Sequence, residues 1–473
     1  MILKDSDFAD HLYHSYPGYK EEKLSTRRFK HSDIIPLINK LKNINIFTVN
    51  KAGSSIEGRD IFLISLGSGT KKVFLWSQMH GDESTATMAI FDIFNFFNQS
   101  DELDAVRKSI LNKLTLYFIP MVNPDGAEIF ERRNAYDIDI NRDAVRQQTQ
   151  EGRTLRRAFE NIKPDFGFNL HDQNTKYSVG RGPNAAALSF LAPPIDYEKS
   201  VNPVRKNAIK LIAGIYEIMS EYIPGHIARY QDEYEPRAFG DNFQKWGAST
   251  ILIESGGWRN DPEKQFLRKL NFIALMYSFK SIAEGNYKQC KQVVYNEIPF
   301  NSEFILNTVL RNLECERGGF KYKIDIGINH EEVRSTDGNG FYLRSYIEDI
   351  GDLSTYFGFN DFDFSGYKVE PGKVYDKKFN TYEEINNFDI TSIYRLGFTD
   401  VILNSHKFNK AQTDLPVNIW VNSSPPDNHK IELESIPNLV IKKNNEVKYV
   451  VINGFVQDID NSKRAILNGL IFH

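Results

Sequence analysis

Four polar clusters, each directly after an apolar segment, constrain the fold of this sequence more than any other feature. The apolar runs are Lys72–Gln78, Leu114–Val122, Asp165–Leu170 and Thr250–Ile253, and they are followed by HGDE, NPDG, HDQ and ESGG. Helix-like stretches separate these runs. That alternation predicts an α/β domain with a mixed, mostly parallel central sheet flanked by helices. Ligands of such open sheets bind beyond the carboxyl ends of the strands, where these clusters are expected to lie.

The character of the sequence changes near residue 288. Beyond Tyr295 the segments are short, alternating and aromatic, as in FKYKIDIGI and VNIWVNS, and turn residues separate them. This pattern predicts a β-rich C-terminal region of one or two small domains. We therefore expect an N-terminal extension at 1–23, a catalytic domain at 24–288 and an accessory region at 296–473, with a possible split near 391–400.

Composition excludes several classes of partner. The 473 residues carry 58 Lys plus Arg against 62 Asp plus Glu, a net charge of −4, so there is no overall basic footprint for nucleic acid or an anionic membrane. No apolar run approaches the roughly 18–20 residues that span a bilayer, and the first residues do not resemble a signal peptide. The only two cysteines, Cys290 and Cys315, exclude a disulfide framework. We expect a cytoplasmic protein in a reducing compartment.

A metal site is indicated by His80 and Glu83, which lie three residues apart on the turn that leaves the first apolar run. A catalytic Zn²⁺ takes three protein ligands and keeps one position for water. His-x-x-Glu alone is also common in solvated turns, so a third ligand is needed before the motif indicates a metal site. His171 is the candidate because, among the ten histidines, it closes a strand-like segment, FGFNLH.

Two further clusters suggest anion binding and proton transfer. The segment Arg132–Asp143 contains three arginines and two asparagines, and arginine offers a planar fork that matches a carboxylate. In isolation the segment could equally be a solvated loop with local ion pairs. Glu254 directly follows a buried run, where a carboxylate is costly unless it is paired, solvated or functional. Partial burial would raise its pKa towards that of a general base.

The order HGDE, NPDG, RNAYDIDINR, NLH and LIES resembles the zinc metallocarboxypeptidases of the carboxypeptidase A/B type. The upstream segments RFKHSDIIPLINKL and GSSIEGRDIFLISLG also resemble the start of that family's domain. The resemblance covers about residues 24–288 and leaves out the C-terminal region. It implies a carboxypeptidase-like fold, one bound Zn²⁺ and a peptide substrate.

The resemblance also implies a role for individual residues. It implies three zinc ligands, His80, Glu83 and His171. Glu254 would activate the zinc-bound water and pass its proton to the leaving amine, and Arg133 would stabilise the oxyanion. Asn141 and Arg142 would hold the free carboxylate of the terminal residue. The family also uses a tyrosine upstream of the glutamate, a role for which Tyr230 and Tyr234 are both candidates.

Three functions stay open at this level. The first is a metallocarboxypeptidase, which the intact NPDG, RN and INR motifs favour. The second keeps the fold and the metal but cleaves an N-acyl amino acid, as relatives resembling aspartoacylase or succinylglutamate desuccinylase do, or a murein peptide. The third is a non-catalytic binding protein, which the presence of every ligand and base position disfavours.

Overall fold

The chain forms two compact units, Met1–Glu303 and Phe304–His473. The computed structural model describes residues 4–335, 340–405, 410–422, 429–461 and 469–473. The division between the units lies beyond the interval 288–296, where the sequence changes its character. None of the described helices combines the length and the apolar character needed to cross a bilayer.

The first unit alternates helices and strands. Its helices are α1 (Asp5–Ser15), α2 (His31–Leu41), α3 (Thr85–Asn98), α4 (Asp104–Lys113), α5 (Pro124–Ile129), α6 (Gln150–Ile162), α7 (Pro203–Met219), α8 (Phe239–Lys245), α9 (Gln265–Glu284) and α10 (Gln292–Glu297). Its strands are β1 (Phe47–Ser54), β2 (Asp60–Leu66), β3 (Lys71–Ser77), β4 (Leu114–Ile119), β5 (Phe166–Asp172), β6 (Tyr177–Val179), β7 (Leu188–Leu191), β8 (Ile227–Arg229), β9 (Ser249–Ser255) and β10 (Asn301–Glu303).

Eight of these strands form one sheet in the order β1-β2-β4-β3-β5-β9-β7-β8. The pairs β4-β3, β3-β5, β5-β9 and β7-β8 are parallel, and the remaining neighbours are antiparallel. The predicted mixed, mostly parallel sheet flanked by helices is confirmed. The three central strands β3, β5 and β9 all run in the same direction, so their carboxyl ends share one edge.

Helices cover both faces of this sheet because its central strands are apolar on both sides. In β3, Val73 and Leu75 belong to a core that also contains apolar residues of α3, α7 and α9. The alternate residues Phe74 and Trp76 belong to a second core with residues of α6 and α8. A strand that buries both faces reads as a continuous apolar run, which is how Lys72–Gln78 appears in the sequence.

The segment predicted as an N-terminal extension packs into the first unit. Phe8 and Leu12, on one face of α1, are fully buried in the same core as α9. Tyr16 follows α1 and donates a 2.8 Å hydrogen bond to Asp92 Oδ2. Asp92 also accepts a 2.7 Å bond from Nε of Arg268, and this ion pair is completely buried. These contacts make α1 part of the core of the unit.

The second unit is β-rich, as predicted. Its strands are β11 (Ile305–Arg317), β12 (Phe320–Arg334), β13 (Phe341–Gly351), β14 (Phe357–Asp363), β15 (Lys368–Pro371), β16 (Lys373–Phe379), β17 (Phe398–Leu403), β18 (Gln412–Thr413), β19 (Asn418–Val421), β20 (Leu439–Lys443), β21 (Glu446–Ile452), β22 (Phe455–Asp458) and β23 (Gly469–Phe472), and its helices are α11 (Tyr382–Asn386) and α12 (Ile390–Tyr394).

These strands form two sheets. The larger follows the order β13-β12-β11-β15-β20-β21-β22, with β14 also paired to β11, and the smaller follows β16-β17-β19-β23-β18. One apolar cluster contains residues of both sheets, such as Val401 of β17 and Val450 of β21, and a second cluster belongs to the larger sheet. The strands β16 and β17, which flank the interval 391–400, pair in parallel within the smaller sheet. The described structure therefore has no boundary between units in that interval.

Candidate metal centre

The carboxyl ends of β3, β5 and β9 bring three of the predicted residues to one edge of the sheet. Ser77 pairs with Leu170, and His171 pairs with Glu254 in parallel register. His80 lies on the turn just beyond β3. A Cβ atom at Gly81 would lie 2.1 Å from the backbone carbon of Gly126, so only glycine allows this turn to pack so closely.

His80, Glu83 and His171 form a compact buried group of side chains, which we call the metal cluster because these residues are the proposed metal ligands. Glu83 Oε1 lies 2.7 Å from His80 Nδ1, and Glu83 Oε2 lies 2.6 Å from His171 Nδ1. The two Nδ1 atoms are 3.2 Å apart. One potential ligand atom from each of the three residues can be chosen so that all three atoms lie within 4.8 Å of one another. Two imidazole nitrogens and a carboxylate are ligands that Zn²⁺ prefers, and this donor set fits a catalytic zinc site with an open position.

The electrostatics of the cluster also suit a cation. Burial opposes the ionisation of Glu83, but the two histidines outweigh burial and hold its pKa well below the ordinary value. Burial lowers the pKa of His171. Burial would also lower the pKa of His80, but the carboxylates of Glu83 and Asp139 outweigh burial and raise that pKa to about 9. The site thus holds an ionised carboxylate in a buried position, and such a carboxylate is a ligand that Zn²⁺ binds.

Asp139 orients His80 from the opposite side of the ring. Its Oδ1 lies 3.0 Å from His80 Nε2 and accepts a 2.9 Å bond from the backbone N–H of Asn141. Its Oδ2 accepts a 3.0 Å bond from Arg132. A carboxylate on the second nitrogen of a ligand histidine fixes the ring and its tautomer. Sequence reasoning did not single out Asp139, although the resemblance places it inside the IDINR motif.

The structure corrects the prediction that Arg133 is the arginine beside the proposed metal ligands. Nη1 of Arg132 donates a 3.1 Å bond to Glu83 Oε1 and lies 3.1 Å from His80 Nδ1. The predicted residue, Arg133, points away, because its Nη1 donates a 2.7 Å bond to the carbonyl oxygen of Asp137. Of the two adjacent arginines, it is thus Arg132 whose described hydrogen bonds reach the cluster.

Glu254 is a buried carboxyl at the end of β9, directly beside His171 in the sheet. Burial, reinforced by the charge of Glu83, raises its pKa well above the ordinary value. A carboxyl with a raised pKa beside a metal cluster can take up a proton and release it again near neutral pH.

One of the two candidate tyrosines is electrostatically linked to Glu254. The charge of Glu254, followed by burial, raises the pKa of the Tyr230 phenol. Tyr230 follows β8, and its backbone N–H donates a 2.9 Å bond to the carbonyl oxygen of Phe190. The other candidate, Tyr234, packs its ring against Tyr197 with centroids 5.0 Å apart. Tyr230 is therefore the candidate whose phenol is electrostatically coupled to Glu254.

A buried lysine ties the ends of β5 and β9 together. Nζ of Lys264 donates a 3.1 Å bond to Asp172 Oδ2 and a 3.0 Å bond to the carbonyl oxygen of Ser255. Asp172 and Ser255 directly follow His171 and Glu254. Lys264 itself adopts a left-handed backbone conformation with φ of 50°. It was not recognised from the sequence, because nothing local distinguishes it from a surface lysine.

The two predicted carboxylate-binding residues lie on a 3₁₀ turn, Ile140–Arg142, beyond the metal cluster. Asn141 Oδ1 accepts a 3.0 Å bond from the backbone N–H of Phe239, which anchors the turn to α8. Nε of Arg142 lies 3.2 Å from Glu235 Oε2. Arg142 lines a cavity of about 510 Å³, and Asp139, which contacts His80, lines it as well.

Residues 37–191 match a family model described as zinc carboxypeptidase. This finding confirms the resemblance stated above, and the matched segment contains the whole metal cluster. Carboxypeptidase SOL1 of Arabidopsis thaliana is 27% identical over 97 residues, which are 19% of this chain and 20% of that protein. Carboxypeptidase 2 of Trichophyton tonsurans is 25% identical over 110 residues, 23% of this chain and 19% of that protein.

The chain thus spans about a fifth of the length of the curated relatives that it matches. Among solved structures, a metallo-carboxypeptidase from Burkholderia cenocepacia superposes with a TM-score of 0.45 and 16% identity. That match covers 55% of this chain and 70% of the other.

Proposed function

We propose that this protein is a zinc-dependent peptidase that removes the C-terminal residue of a peptide. The observation that carries the proposal is the buried cluster of His80, Glu83 and His171 with Glu254 in register beside it. The match of residues 37–191 to the zinc carboxypeptidase model supports it. The proposal includes a single Zn²⁺ held by the three cluster residues, because they form one compact donor set.

Each side chain of the site is assigned one role in the proposed hydrolysis. Zinc in such a site acts as a Lewis acid that polarises a carbonyl and lowers the pKa of water to about 7. Glu254 accepts the proton of the attacking water and returns it to the leaving amine. Arg132 donates hydrogen bonds to the oxygen on which negative charge develops. Asp139 keeps His80 in position, and Tyr230, whose pKa the charge of Glu254 raises, is assigned to contact the substrate.

The selection of a chain end is assigned to Arg142 and Asn141. A guanidinium binds a carboxylate in a planar, charge-assisted arrangement. For hydrolysis, a terminal carboxylate held by Arg142 would have to leave the last peptide bond within reach of Glu254, as the resemblance implies. Only a free chain end carries this carboxylate, so the arrangement favours exopeptidase action.

Hydrolysis of a blocked dipeptide by protein loaded with zinc tests the proposal. We expect one zinc per chain and measurable release of the terminal amino acid. Glu254→Gln keeps the shape but cannot accept the proton, so kcat should fall by about 10²–10⁴-fold at unchanged zinc content. Glu151→Gln is a matched control, because Glu151 is a buried carboxylate that hydrogen-bonds to Ile56 N outside the cluster.

Two outcomes would contradict the proposal. One is bound zinc without hydrolysis across a panel of peptides and N-acyl amino acids. The other is full activity of Glu254→Gln. Hydrolysis of N-acyl amino acids without hydrolysis of peptides would favour the deacylase alternative instead.

A second experiment tests the role of Arg142. Amidation of the C-terminus removes the charge that Arg142 is proposed to bind. Since a charged hydrogen bond contributes about 1.5–3 kcal/mol, kcat/KM should fall by about 10–100-fold. Arg142→Gln should lose the distinction between free and amidated peptides. Equal cleavage of both peptides by the unaltered protein would refute the assignment.

The proposed location is the cytoplasm. Both cysteines, Cys290 and Cys315, are free thiols in the structure, which is compatible with a reducing compartment. A fluorescent fusion of the full protein, examined in its own cells, measures the location directly.

A further inference from the structure

A buried lysine joins the ends of the two strands that carry His171 and Glu254. The side chain of Lys264 is only 6% exposed, and its Nζ donates a 3.1 Å bond to Asp172 Oδ2. The same Nζ donates a 3.0 Å bond to the carbonyl oxygen of Ser255. Lysine is almost never buried so deeply unless it is paired. The position of this cation therefore requires a reason beyond the solubility of the surface.

The two acceptors of Lys264 are the last pair in the register of β5 and β9. Asp172 pairs with Ser255 directly after the pair of His171 with Glu254. A strand rises about 3.3 Å per residue, so the lysine holds the two strand ends together one residue beyond the metal ligand and the proton acceptor. A change in the separation of these ends would pass directly to His171 and Glu254.

The same aspartate connects the lysine to the third proposed metal ligand. Thr85, the first residue of α3, donates a 2.6 Å bond to Asp172 Oδ2, the oxygen that also accepts from Lys264. Thr85 lies two residues beyond Glu83. The backbone N–H of Asp172 donates a 3.2 Å bond to Glu83 Oε2. The segments that carry Glu83, His171 and Glu254 thus meet at one ion pair.

The backbone of Lys264 also has an unusual conformation. Its φ of 50° lies in the left-handed region, which few residues other than glycine adopt. Residues in such regions persist where the surrounding contacts fix them, and they are frequent at active sites. Here the left-handed residue directly precedes α9 and bears the ammonium group that binds Asp172.

We propose that Lys264 is a positioning residue that sets the separation of His171 and Glu254 for hydrolysis. The inference rests on the proposed function for its kinetic test. Lys264 acts through Asp172 and Ser255, and not by contact with the substrate. Catalytic groups have to be held within a fraction of an ångström, and a displacement of about 1 Å can lower the rate by about 10²-fold.

The first experiment removes the cation. Lys264→Met keeps a side chain of similar length but has neither the charge nor the N–H donors. We expect kcat for a blocked dipeptide at saturating zinc to fall by about 10–100-fold. KM should change much less, because the substitution moves the reacting groups relative to each other and removes no contact with the substrate. Lys264→Arg keeps a cation that can donate to both acceptors, so it should restore part of kcat.

Lys280→Met is the matched control. Lys280 lies in α9, its side chain is 2% exposed, and its Nζ pairs with Asp5 and, at 2.8 Å, with Glu284 Oε2. Both methionine variants lose a buried ion pair and should unfold at a lower urea concentration. Only Lys264→Met should lower kcat of the folded protein. Equal losses of kcat in the two variants, or full kcat in Lys264→Met, would overturn the inference.

A milder pair of variants covers the case in which Lys264→Met does not fold. Lys264→Gln removes the charge but retains a polar group that can donate one hydrogen bond. Lys280→Gln is its control. The kinetic comparison is the same, and full kcat in Lys264→Gln, or a loss equal to that of Lys280→Gln, overturns the inference as before.

Absorption spectra with Co²⁺ in place of Zn²⁺ separate this inference from the proposed function, because the visible bands of Co²⁺ report the geometry of its ligands. A shift of these bands in Lys264→Met, but not in Lys280→Met, supports the positioning of His171 even if no peptide is hydrolysed, in which case the proposed function alone fails. Hydrolysis by the unaltered protein, with unchanged kcat and unchanged bands in Lys264→Met, would leave the proposed function intact and overturn the inference.

Discussion

Arg132, and not its neighbour Arg133, is the arginine whose loss should most reduce the proposed activity. Nη1 of Arg132 contacts His80 and Glu83 at 3.1 Å, and its Nη2 contacts Asp139 at 3.0 Å. Replacement by glutamine removes the positive charge but leaves a polar side chain of moderate length. The substitution therefore tests charge at the cluster more than it tests packing.

The magnitude follows from the position of the side chain. Removal of one donor to a developing oxyanion typically lowers kcat by about 10²–10³-fold. Arg132 is 44% exposed, and solvent screens part of its charge. We therefore expect the lower end of this range, about 10²-fold, which corresponds to about 2.7 kcal/mol. Because Arg132 also holds Asp139, a smaller decrease in zinc affinity should accompany the loss of kcat.

The assay is hydrolysis of a blocked dipeptide at saturating zinc, with zinc content measured on the same samples. Arg133→Gln is the comparison variant, and its effect on kcat should be much smaller than that of Arg132→Gln. Equal losses in the two variants would refute the assignment to Arg132, as would full kcat in Arg132→Gln. A loss that is seen only below saturating zinc would assign Arg132 to metal binding alone.

Three further predictions concern stability. Arg268→Met should lower the free energy of unfolding by about 3–5 kcal/mol in urea titrations, because it leaves the fully buried Asp92 without its cation; a loss below 1 kcal/mol would contradict this. Phe8→Ala should lower the free energy of unfolding by about 3–5 kcal/mol, since Phe8 is fully buried in the core. An unchanged free energy of unfolding would mean that α1 is not part of that core. Burial raises the pKa of Asp241 to about 7, above the unfolded value of about 3.9. The contribution of the protonated Asp241 to stability is therefore present below about pH 4 and is lost as the pH rises through about 7. Asp241→Asn should therefore reduce the difference in unfolding free energy between pH 5 and pH 8, and an identical pH dependence would refute the shift.

The sheet and the metal cluster could be predicted because both leave strong local patterns. A strand buried on both faces must be apolar throughout, as Lys72–Gln78 is. Polar residues directly after such strands have to lie at the sheet edge, and parallel pairing then brings them together. His171 and Glu254, 83 residues apart in the sequence (254 − 171 = 83), are neighbours in the β5–β9 register.

The N-terminal helix was missed although a weak signal is present. Phe8 and Leu12 lie four residues apart, which places them on one helix face. The segment is short and carries three acidic residues, Asp5, Asp7 and Asp10, so it resembles a solvated end of the chain. Only the tertiary contacts of Phe8 and Leu12 with the main core decide its placement, and these contacts have no local signature.

The confusion between Arg132 and Arg133 has a different physical origin. The loop that carries them has no period, and its course is set by side-chain contacts, since Asn134 Oδ1 accepts bonds from the backbone N–H groups of Tyr136 and Ile138. Asp137 then takes a left-handed conformation with φ of 58°. A motif that contains two adjacent arginines cannot indicate which one faces the metal, because that depends on where this turn begins.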